Sequence, residues 1–464
     1  MIVSYAVADE TGRALREGTA VQALRRLFSN MPVYGGLAQE EREAMLCART
    51  PALEALAVEL SEVADGRREL DAAYAAAAAA LSADETGKQA LLGVTRGLGD
   101  PPAKRMTGTL ARALYGRPVS SVSRLETFAQ CPYQHFVRYG LAPQREQQPG
   151  VDAAELGTLY HEAAERFTEA VTALPEFPEV PQAVCDRLMD EAVSPLIDAW
   201  RESPMGESKR GEAVARRIRR TAKRTARNIL SQYADSSFRP LRMEFVFGQN
   251  GLSPIVLELS DGTFVYLQGR IDRVDVMTGG GLRVIDYKSG ARKFDPTLVY
   301  WGLQLQLLLY LAAALSRVPG SHAAGFFYCR IADPTVKTES RIREEVEKQI
   351  AKKLSLQGIS LSDVAILRAQ GGNIASMVTK DGKPNGRYAA SMVDEAGMEK
   401  LLDFGKRKAA ELAGEIYRGE MDDSPVERGA FSVCQNCEYS AICAFDPMRK
   451  PRRRLAAKKL DDLL

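Results

Sequence analysis

The residues best suited to chemistry lie between Gly269 and Gly290, in the sequence GRIDRVDVMTGGGLRVIDYKSG. This pattern predicts two short β-strands joined by a glycine-rich hairpin turn at 278–281. Asp286 and Lys288 are two residues apart on the second strand, so their side chains share one face. Asp272 lies near the matching position on the first strand. Two carboxylates beside an ammonium predict a divalent-cation site that could hydrolyse a phosphodiester; the alternative is a surface hairpin with a cross-strand ion pair.

Lys288 could orient or deprotonate the attacking water, or stabilise the pentacovalent state. Asp275 lies three residues beyond Asp272 and is therefore predicted to point to the opposite strand face. His161 follows Gly157 by four residues on a predicted helix. The two would face the same direction, and the glycine would allow another backbone to approach. The alternative is a structural role for His161, since a lone histidine is more often a structural residue than a ligand.

Gln306 and Tyr310 occupy positions i and i+4 on an otherwise apolar predicted helix. This spacing places both side chains on one face. Such a polar pair could contact DNA phosphate or position the lysine, and the alternative is an ordinary amphipathic edge.

A second constellation is the compact cluster Cys434-x₂-Cys437-x₅-Cys443, which indicates a metal. A fourth thiolate must come from elsewhere, and the candidates are Cys47, Cys131, Cys185 and Cys329. Cys329 ends an apolar strand and is predicted to be core, whereas Cys131 precedes Pro132 at a helix break that would expose its thiol. Four thiolates suit Zn²⁺ or an iron–sulfur cluster, and spacing alone does not separate the two. Zinc or a cluster would link residues about 300 positions apart in the chain. The protein without metal should lose this tertiary link.

The composition is that of a globular protein, with 464 residues, 45% hydrophobic, 26% charged and a net charge of +2. The length suffices for two to four domains. No apolar run reaches the length of a membrane span, and the N-terminus lacks a signal-peptide pattern. Seven unevenly spaced cysteines are too few for a disulfide scaffold, so we expect a cytoplasmic protein without a membrane partner.

Two segments are strongly basic, 209–227 and 449–459. A basic helix and a basic tail suit a polyanionic partner. The alternatives are a solvated helix face and a disordered chain end.

The remaining pattern predicts a mixed α/β core with helices on both sides. Residues 1 to about 115 are predicted to be mainly helical, apart from a strand-like opening, and carry no catalytic constellation. The predicted helices cover 120–139 with a break near 131, 156–174, 182–235 and 299–316. The predicted strands cover 243–249, 255–259, 263–276, 282–287 and 323–329, and the rest is predicted to be helical up to the cysteines.

These motifs together resemble a known family. G-x-x-x-H at 157–161, GRIDRVD at 269–275, VIDYKSG at 284–290 and QLLLY at 306–310 look like the RecB-type PD-(D/E)xK nuclease. One cysteine in SRLETFAQCPYQHF and three in CQNCEYSAIC resemble the iron–sulfur staple of its AddB branch. AddB belongs to a bacterial ATP-dependent helicase–nuclease that processes double-strand breaks. The resemblance covers residues 119–447, and the opening VSYAVADETGRAL resembles the end of the helicase-like region of AddB.

The resemblance implies a restriction-endonuclease-like core, a mixed sheet flanked by helices, with an iron–sulfur staple. It divides the chain into a helical remnant of the helicase-like region (1–118), the nuclease domain (119–447) and a basic tail (448–464). The implied Mg²⁺ ligands are His161, Asp272, Asp286 and the Tyr287 carbonyl. Lys288 would be the catalytic lysine, and Gln306 and Tyr310 would support the site. Cys131, Cys434, Cys437 and Cys443 would hold a 4Fe–4S cluster, with zinc as the alternative.

The implied activity is Mg²⁺-dependent exodeoxyribonuclease action on single strands and duplex ends of DNA, with an AddA-like helicase as partner. The chain departs from a full AddB because it has no phosphate-binding loop; the nearest string, ETGKQ at 85–89, lacks the first glycine and the final Ser or Thr. We therefore expect a C-terminal portion of an AddB-like protein, or a subunit whose helicase-like part is encoded elsewhere, without ATP binding. The rival hypotheses are a non-catalytic DNA-binding scaffold and a stand-alone iron–sulfur nuclease of the CRISPR-adaptation or replication type.

Overall fold

The computed structural model describes residues 3, 5–6, 15–28, 44–64, 66–96, 98, 104–143, 153–202, 208–249, 252–337, 342–429, 431–443, 445–447 and 450–464. The chain divides into two compact units, Met1–Pro102 and Ala103–Leu464. The functional division at 118 and 447 stays a prediction. Among the described residues, no helix is both long and apolar enough to cross a bilayer.

The described part of the first unit is helical, as predicted. Its helices are α1 (Thr19–Leu27), α2 (Arg49–Ala64), α3 (Ala72–Leu81) and α4 (Glu85–Arg96). The alanine run forms α3, because alanine is the best helix former and Asp71 caps the first turn by accepting from the Ala73 amide. The strand-like opening lies mostly outside the described residues.

The second unit is built on an eight-stranded mixed sheet in the described residues. The strands are β1 (Val119–Ser121), β2 (Phe238–Phe247), β3 (Ile255–Glu258), β4 (Phe264–Met277), β5 (Gly281–Lys288), β6 (His322–Arg330), β7 (Gln357–Leu361) and β8 (Met392–Val393). The first half of β4 pairs with β1 and β3, and its second half pairs with β2 and β5. The sheet continues from β5 through β6 and β7 to β8, with β5 parallel to β6.

Helices cover both faces of this sheet. In chain order they are α5 (Gly108–Tyr115), α6 (Val122–Gln130), α7 (Pro132–His135), α8 (Ala153–Thr172), α9 (Gln182–Arg201), α10 (Lys209–Ala234), α11 (Pro296–Tyr300), α12 (Gln306–Arg317), α13 (Arg343–Leu354), α14 (Val364–Gln370), α15 (Gly372–Ala375), α16 (Glu395–Arg418) and α17 (Ser440–Cys443). A π-helical turn spans Phe136–Leu141, and 3₁₀ turns span Gly386–Ser391, Val433–Asn436 and Leu460–Leu463.

Alternating side chains of the central strands separate two apolar cores. Ile285 and Phe327 pack with apolar residues of α8, α9 and α10, whereas Val284 and Phe326 pack with those of α12 and α16. The prediction of a mixed α/β core with helices on both sides is therefore confirmed.

Three sequence-based predictions of secondary structure are wrong. The helix predicted over 299–316 is interrupted between Tyr300 and Gln306. Gly302 occupies this break with a φ of 78°, and Glu126 accepts hydrogen bonds from the Leu305 and Gln306 amides that begin the next helix. The region before the cysteines is not wholly helical, because β7 and β8 extend the sheet there. Residues 120 and 121, predicted to begin a helix, instead end β1; the helix begins at Val122, and its N-cap is Ser121.

The basic C-terminal residues fold back onto the second unit. A small sheet joins β9 (Val426–Arg428) to β10 (Phe431–Ser432) and to β11 (Arg453–Arg454). Arg453 donates to the Ala129 carbonyl over 2.7 Å. Lys450 forms an ion pair with Asp423 over 2.8 Å. This arrangement contradicts the alternative of a disordered chain end for the residues described here.

A buried ion cluster holds one side of the sheet. Asp275 accepts hydrogen bonds from Tyr233 and Arg283, each over 2.8 Å, and lies 3.2 Å from Arg273. The side chains of Arg273, Asp275 and Arg283 are fully buried. Burial raises the pKa of the Asp275 carboxyl, but the two guanidinium groups outweigh it and lower that pKa overall. Asp275 points away from Asp272, as predicted, and has a structural role.

We expect Asp275→Asn to lower the free energy of unfolding by about 3–5 kcal/mol, because two buried guanidinium groups lose their counter-charge. Chemical denaturation followed by circular dichroism measures this change. Asp261→Asn is the matched control: Asp261 pairs with Arg112 at the surface over 2.7 Å, and its loss should cost less than about 1 kcal/mol. Equal, small losses in the two variants would contradict the structural role of Asp275.

Candidate active site and cysteine cluster

The hairpin places the two predicted carboxylates side by side. The pairing of β4 with β5 ends with Arg273 opposite Ile285, and one residue further along the strands lie Asp272 and Asp286. Lys288 follows on the same face of β5, with its Nζ 2.5 Å from Oδ2 of Asp286. The structure therefore brings together the three residues that the sequence predicted to form the site.

Asp286 is the most unusual group of the site. Its side chain is fully buried, and burial together with the charge of Asp272 raises its pKa to about 7, against the opposing effect of Lys288. Neither of its carboxylate oxygens accepts a hydrogen bond of normal geometry from the described residues. A buried carboxylate without such partners is costly, and a bound cation would satisfy it.

His161 reaches this carboxylate pair from α8. Its Nδ1 lies 3.3 Å from Oδ1 of Asp272, and the other oxygen of Asp272 accepts from the Tyr287 amide over 2.7 Å. Burial lowers the pKa of His161, but its hydrogen bond to Asp272 and the charges of Asp272 and Asp286 outweigh burial and raise it. The negative charge that favours protonated His161 also favours a metal ion, which would take the place of the proton on the imidazole.

Gly157 has a different role from the predicted one. A Cβ added at this position would meet no atom within 4 Å, so no backbone approaches it closely. Gly157 and His161 instead line the same open cavity of about 640 Å³, together with Asp272. The glycine thus leaves space in front of the histidine.

The sequence did not reveal a third acidic residue of the site, Glu244 on β2. Glu244, His161 and Asp272 each offer one ligand atom, and these atoms lie within 4.8 Å of one another. The backbone of Glu244 has a φ of 46°, an uncommon conformation for a residue other than glycine and one that accumulates at functional sites. Its carboxylate also pairs with Arg270 over 2.9 Å. Burial and the charge of Asp272 raise the pKa of Glu244.

Gln306 and Tyr310 lie beside the site and contact each other. The Gln306 amide donates to the Tyr310 hydroxyl over 3.0 Å. Tyr310 is buried, and burial raises its pKa, with further increases from the negative charges of Asp286 and Asp272. Glu126, which the sequence did not reveal, fixes the start of their helix through two backbone amides.

Four cysteines line one small cavity: Cys131, Cys434, Cys437 and Cys443. The thiol of Cys131 is buried, contrary to the prediction that the helix break would expose it. Burial raises the pKa of Cys131 to about 11, so this thiol is protonated at neutral pH unless a metal stabilises the thiolate.

The other three cysteines lie elsewhere. Cys185 and Cys329 are buried in the core, as predicted for Cys329, whose sulfur accepts from Gln232 over 3.3 Å. Cys47 is exposed and belongs to the first unit. Of the four candidates for the fourth ligand, only Cys131 lines the cavity of the other three.

Comparisons with known proteins agree with this geometry. Residues 119–444 match the family model described as the PD-(D/E)XK nuclease superfamily. The chain is similar to the B subunit of the ATP-dependent helicase/deoxyribonuclease of Alkaliphilus metalliredigens, with 31% identity over 96% of this chain and 40% of the relative. The corresponding protein of Clostridium tetani is 31% identical over 100% of this chain and 42% of its own length, and that of Moorella thermoacetica 32% over 96% and 40%.

The chain thus spans about 40% of the length of the curated relatives that it matches. The resemblance inferred from the motifs is confirmed by these matches.

We expect Glu244→Gln to weaken divalent-metal binding by about ten- to a hundredfold, because the site loses one carboxylate charge. Calorimetric titration with Mn²⁺ measures this loss. Glu169→Gln is the control, since Glu169 is exposed and lies two turns beyond His161 on the same helix. Wild-type affinity in Glu244→Gln would show that Glu244 only pairs with Arg270.

Proposed function

The chain belongs to the PD-(D/E)XK nuclease superfamily, and from this premise we propose that it is a Mg²⁺-dependent deoxyribonuclease. The observation that carries the proposal is the buried pair Asp272 and Asp286, with Lys288 and His161 in contact with it. The two carboxylates and the imidazole supply metal ligands, and the ammonium beside them supplies a group that can donate a proton.

The donor set fits a hard divalent cation. Asp286 offers buried carboxylate oxygens that lack hydrogen bonds of normal geometry. Oδ1 of Asp272 faces Nδ1 of His161, so the carboxylate and the imidazole could bind the same ion. His161, Asp272, Asp286 and the Tyr287 carbonyl would hold Mg²⁺, and Glu244 is a further ligand candidate. Bound Mg²⁺ would neutralise charge on the scissile phosphate and lower the pKa of water.

Lys288 would act on the phosphate from the side of Asp286. Its ammonium already contacts that carboxylate, so its charge is held at the site before DNA arrives. It would orient the attacking water, or donate a hydrogen bond to the phosphate oxygen on which charge develops. Gln306 and Tyr310, which are joined by a hydrogen bond, would support the carboxylates from the helix behind them.

The names of the relatives add a biological setting to this proposal. We infer an exodeoxyribonuclease that acts on single strands and duplex ends of DNA, as part of a helicase–nuclease that processes double-strand breaks. The partner would be an AddA-like helicase, and the protein would work in the cytoplasm. The presence of His161, Asp272, Asp286 and Lys288 in one site favours this function over a non-catalytic scaffold.

We expect Asp286→Asn to reduce Mg²⁺-dependent cleavage of DNA at least about a hundredfold while the fold is retained, because a metal ligand loses its charge. The assay follows single- and double-stranded labelled DNA with and without Mg²⁺. Asp403→Asn is the control, since Asp403 is exposed and only faces Lys406 over 3.7 Å. Cleavage at the wild-type rate in Asp286→Asn would exclude the proposed site.

We further propose that Cys131, Cys434, Cys437 and Cys443 hold a 4Fe–4S cluster, with zinc as the alternative. Their shared cavity supports this proposal, because four thiols around one small cavity are the ligand set of either metal. The cluster would join α6 to the segment after β10, two parts of the chain about 300 residues apart. It would stabilise the domain and take no part in the cleavage reaction.

The protein purified without oxygen should be brown and contain about four iron atoms per chain, because four thiolates bind a cubane cluster. Cys437→Ser should lose iron and lower the unfolding midpoint, whereas Cys47→Ser, at an exposed position in the first unit, should change neither. Metal analysis and visible absorption provide both readouts. A colourless protein that contains stoichiometric zinc would contradict the iron–sulfur cluster and show that the four cysteines bind zinc.

A further inference from the structure

A basic cleft of about 690 Å³ adjoins the candidate active site. Its cationic lining comes from the end of β5, the loop that follows it, the end of β6 and helix α13. The cationic residues are Lys288, Arg292, Lys293, Arg330, Lys352 and Lys353. No carboxylate is among the described residues that line this cleft.

The cations of the cleft are available to a ligand. Apart from Lys288, none of them makes an ion pair with a carboxylate in the described part of the chain. Arg292, Lys352 and Lys353 are exposed, and Lys353 donates to the Thr335 backbone carbonyl over 2.8 Å. Nε of Arg330 is buried without a hydrogen bond to the described residues. Five positive charges without a paired carboxylate, beside the paired Lys288, produce a strong positive potential around one depression.

The basic helix α10, which the sequence singled out for a polyanion, differs in this respect. Many of its cations face carboxylates of neighbouring elements or of the helix itself. The pairs are Arg216 with Glu212, Arg219 and Lys223 with Asp190, Arg220 with Asp333, Arg224 with Asp333 and Glu347, and Arg227 with Asp186. Much of the charge of α10 is therefore neutralised within the protein, and the cleft is the better anion site.

The cleft is continuous with the catalytic residues. Lys288 lines both the cleft and a smaller depression that His161 and Tyr287 also line. His161 in turn lines the acidic cavity with Asp272 and Glu244. A path thus runs from the acidic metal ligands, past the lysine, into a region of positive charge alone.

We propose that this cleft binds the sugar–phosphate backbone of one DNA strand, on one side of the phosphate that is cut. The inference rests on the proposed nuclease function, because it extends the same site. The only aromatic residue among the described residues that line the cleft is Tyr328, and it is buried. The contacts would therefore be electrostatic and independent of base sequence, with phosphate rather than stacked bases as the recognised group.

Binding of a labelled dT oligonucleotide to the full chain without divalent metal tests the cleft. Lys352→Ala/Lys353→Ala removes two exposed cations from the same helix. At about 0.1 M salt, affinity should fall about ten- to thirtyfold, and the slope of log K against log[salt] should become shallower by about 1.4, since each phosphate contact on a single strand contributes about 0.7. Lys352→Arg/Lys353→Arg, which keeps both positive charges, should retain the affinity and the salt dependence of the wild type.

The matched control is Lys400→Ala/Arg407→Ala, which removes two exposed charges from α16 outside the cleft. It should bind DNA like the wild type. Wild-type affinity and slope in the Lys352/Lys353 variant, or an equal loss in the control, would overturn the proposal. Because no metal is present, this outcome is separate from the cleavage assay: a protein that binds through the cleft but does not cut would refute the nuclease function alone.

Discussion

The second unit depends on one electrostatic constraint, the burial of two carboxylates on adjoining strands. Asp272 and Asp286 repel each other, and burial removes the water that would weaken this repulsion. The raised pKa of Asp286 is the direct consequence. Three surrounding features reduce the cost: the Lys288 ammonium, the His161 imidazole and the Tyr287 amide, which donates to Asp272. None of them gives the Asp286 oxygens a hydrogen bond of normal geometry, so a bound cation would stabilise the site further.

Strand β4 shows how the same chemistry can be structural or functional. Asp275 lies three residues from Asp272 and faces the opposite core, where Arg273, Arg283 and Tyr233 satisfy its oxygens completely. That carboxylate needs nothing from outside the protein, and its pKa is lowered. Asp272 and Asp286 lack such internal arginines. The difference between a structural carboxylate and one of the candidate active site is therefore whether the protein's own groups satisfy its oxygens with hydrogen bonds, as they do for Asp275 and not for Asp286.

The sequence predicted the features that depend on the local periodicity of polar and apolar residues. The hairpin followed from a period of two and a glycine turn, and this fixed the relative positions of Asp272, Asp286 and Lys288. Glu244 was missed because its position depends on a left-handed backbone conformation within β2 that no residue pattern signals. The break before Gln306 was missed because its cap, Glu126, comes from 180 residues away. The interior position of Cys131 likewise depends on tertiary packing, and the helix break alone suggested exposure.

Helix α6 connects the two constellations that were inferred separately from the sequence. Its Glu126 carboxylate caps α12, the helix that carries Gln306 and Tyr310 beside the carboxylate pair. Its last turn leads to Cys131, which lines the cavity of the other three cysteines. Glu126 lies within this helix and Cys131 directly follows its last residue, Gln130, so one short element carries both residues. A metal bound by the four thiols would therefore hold the support of the active site in place without touching the substrate.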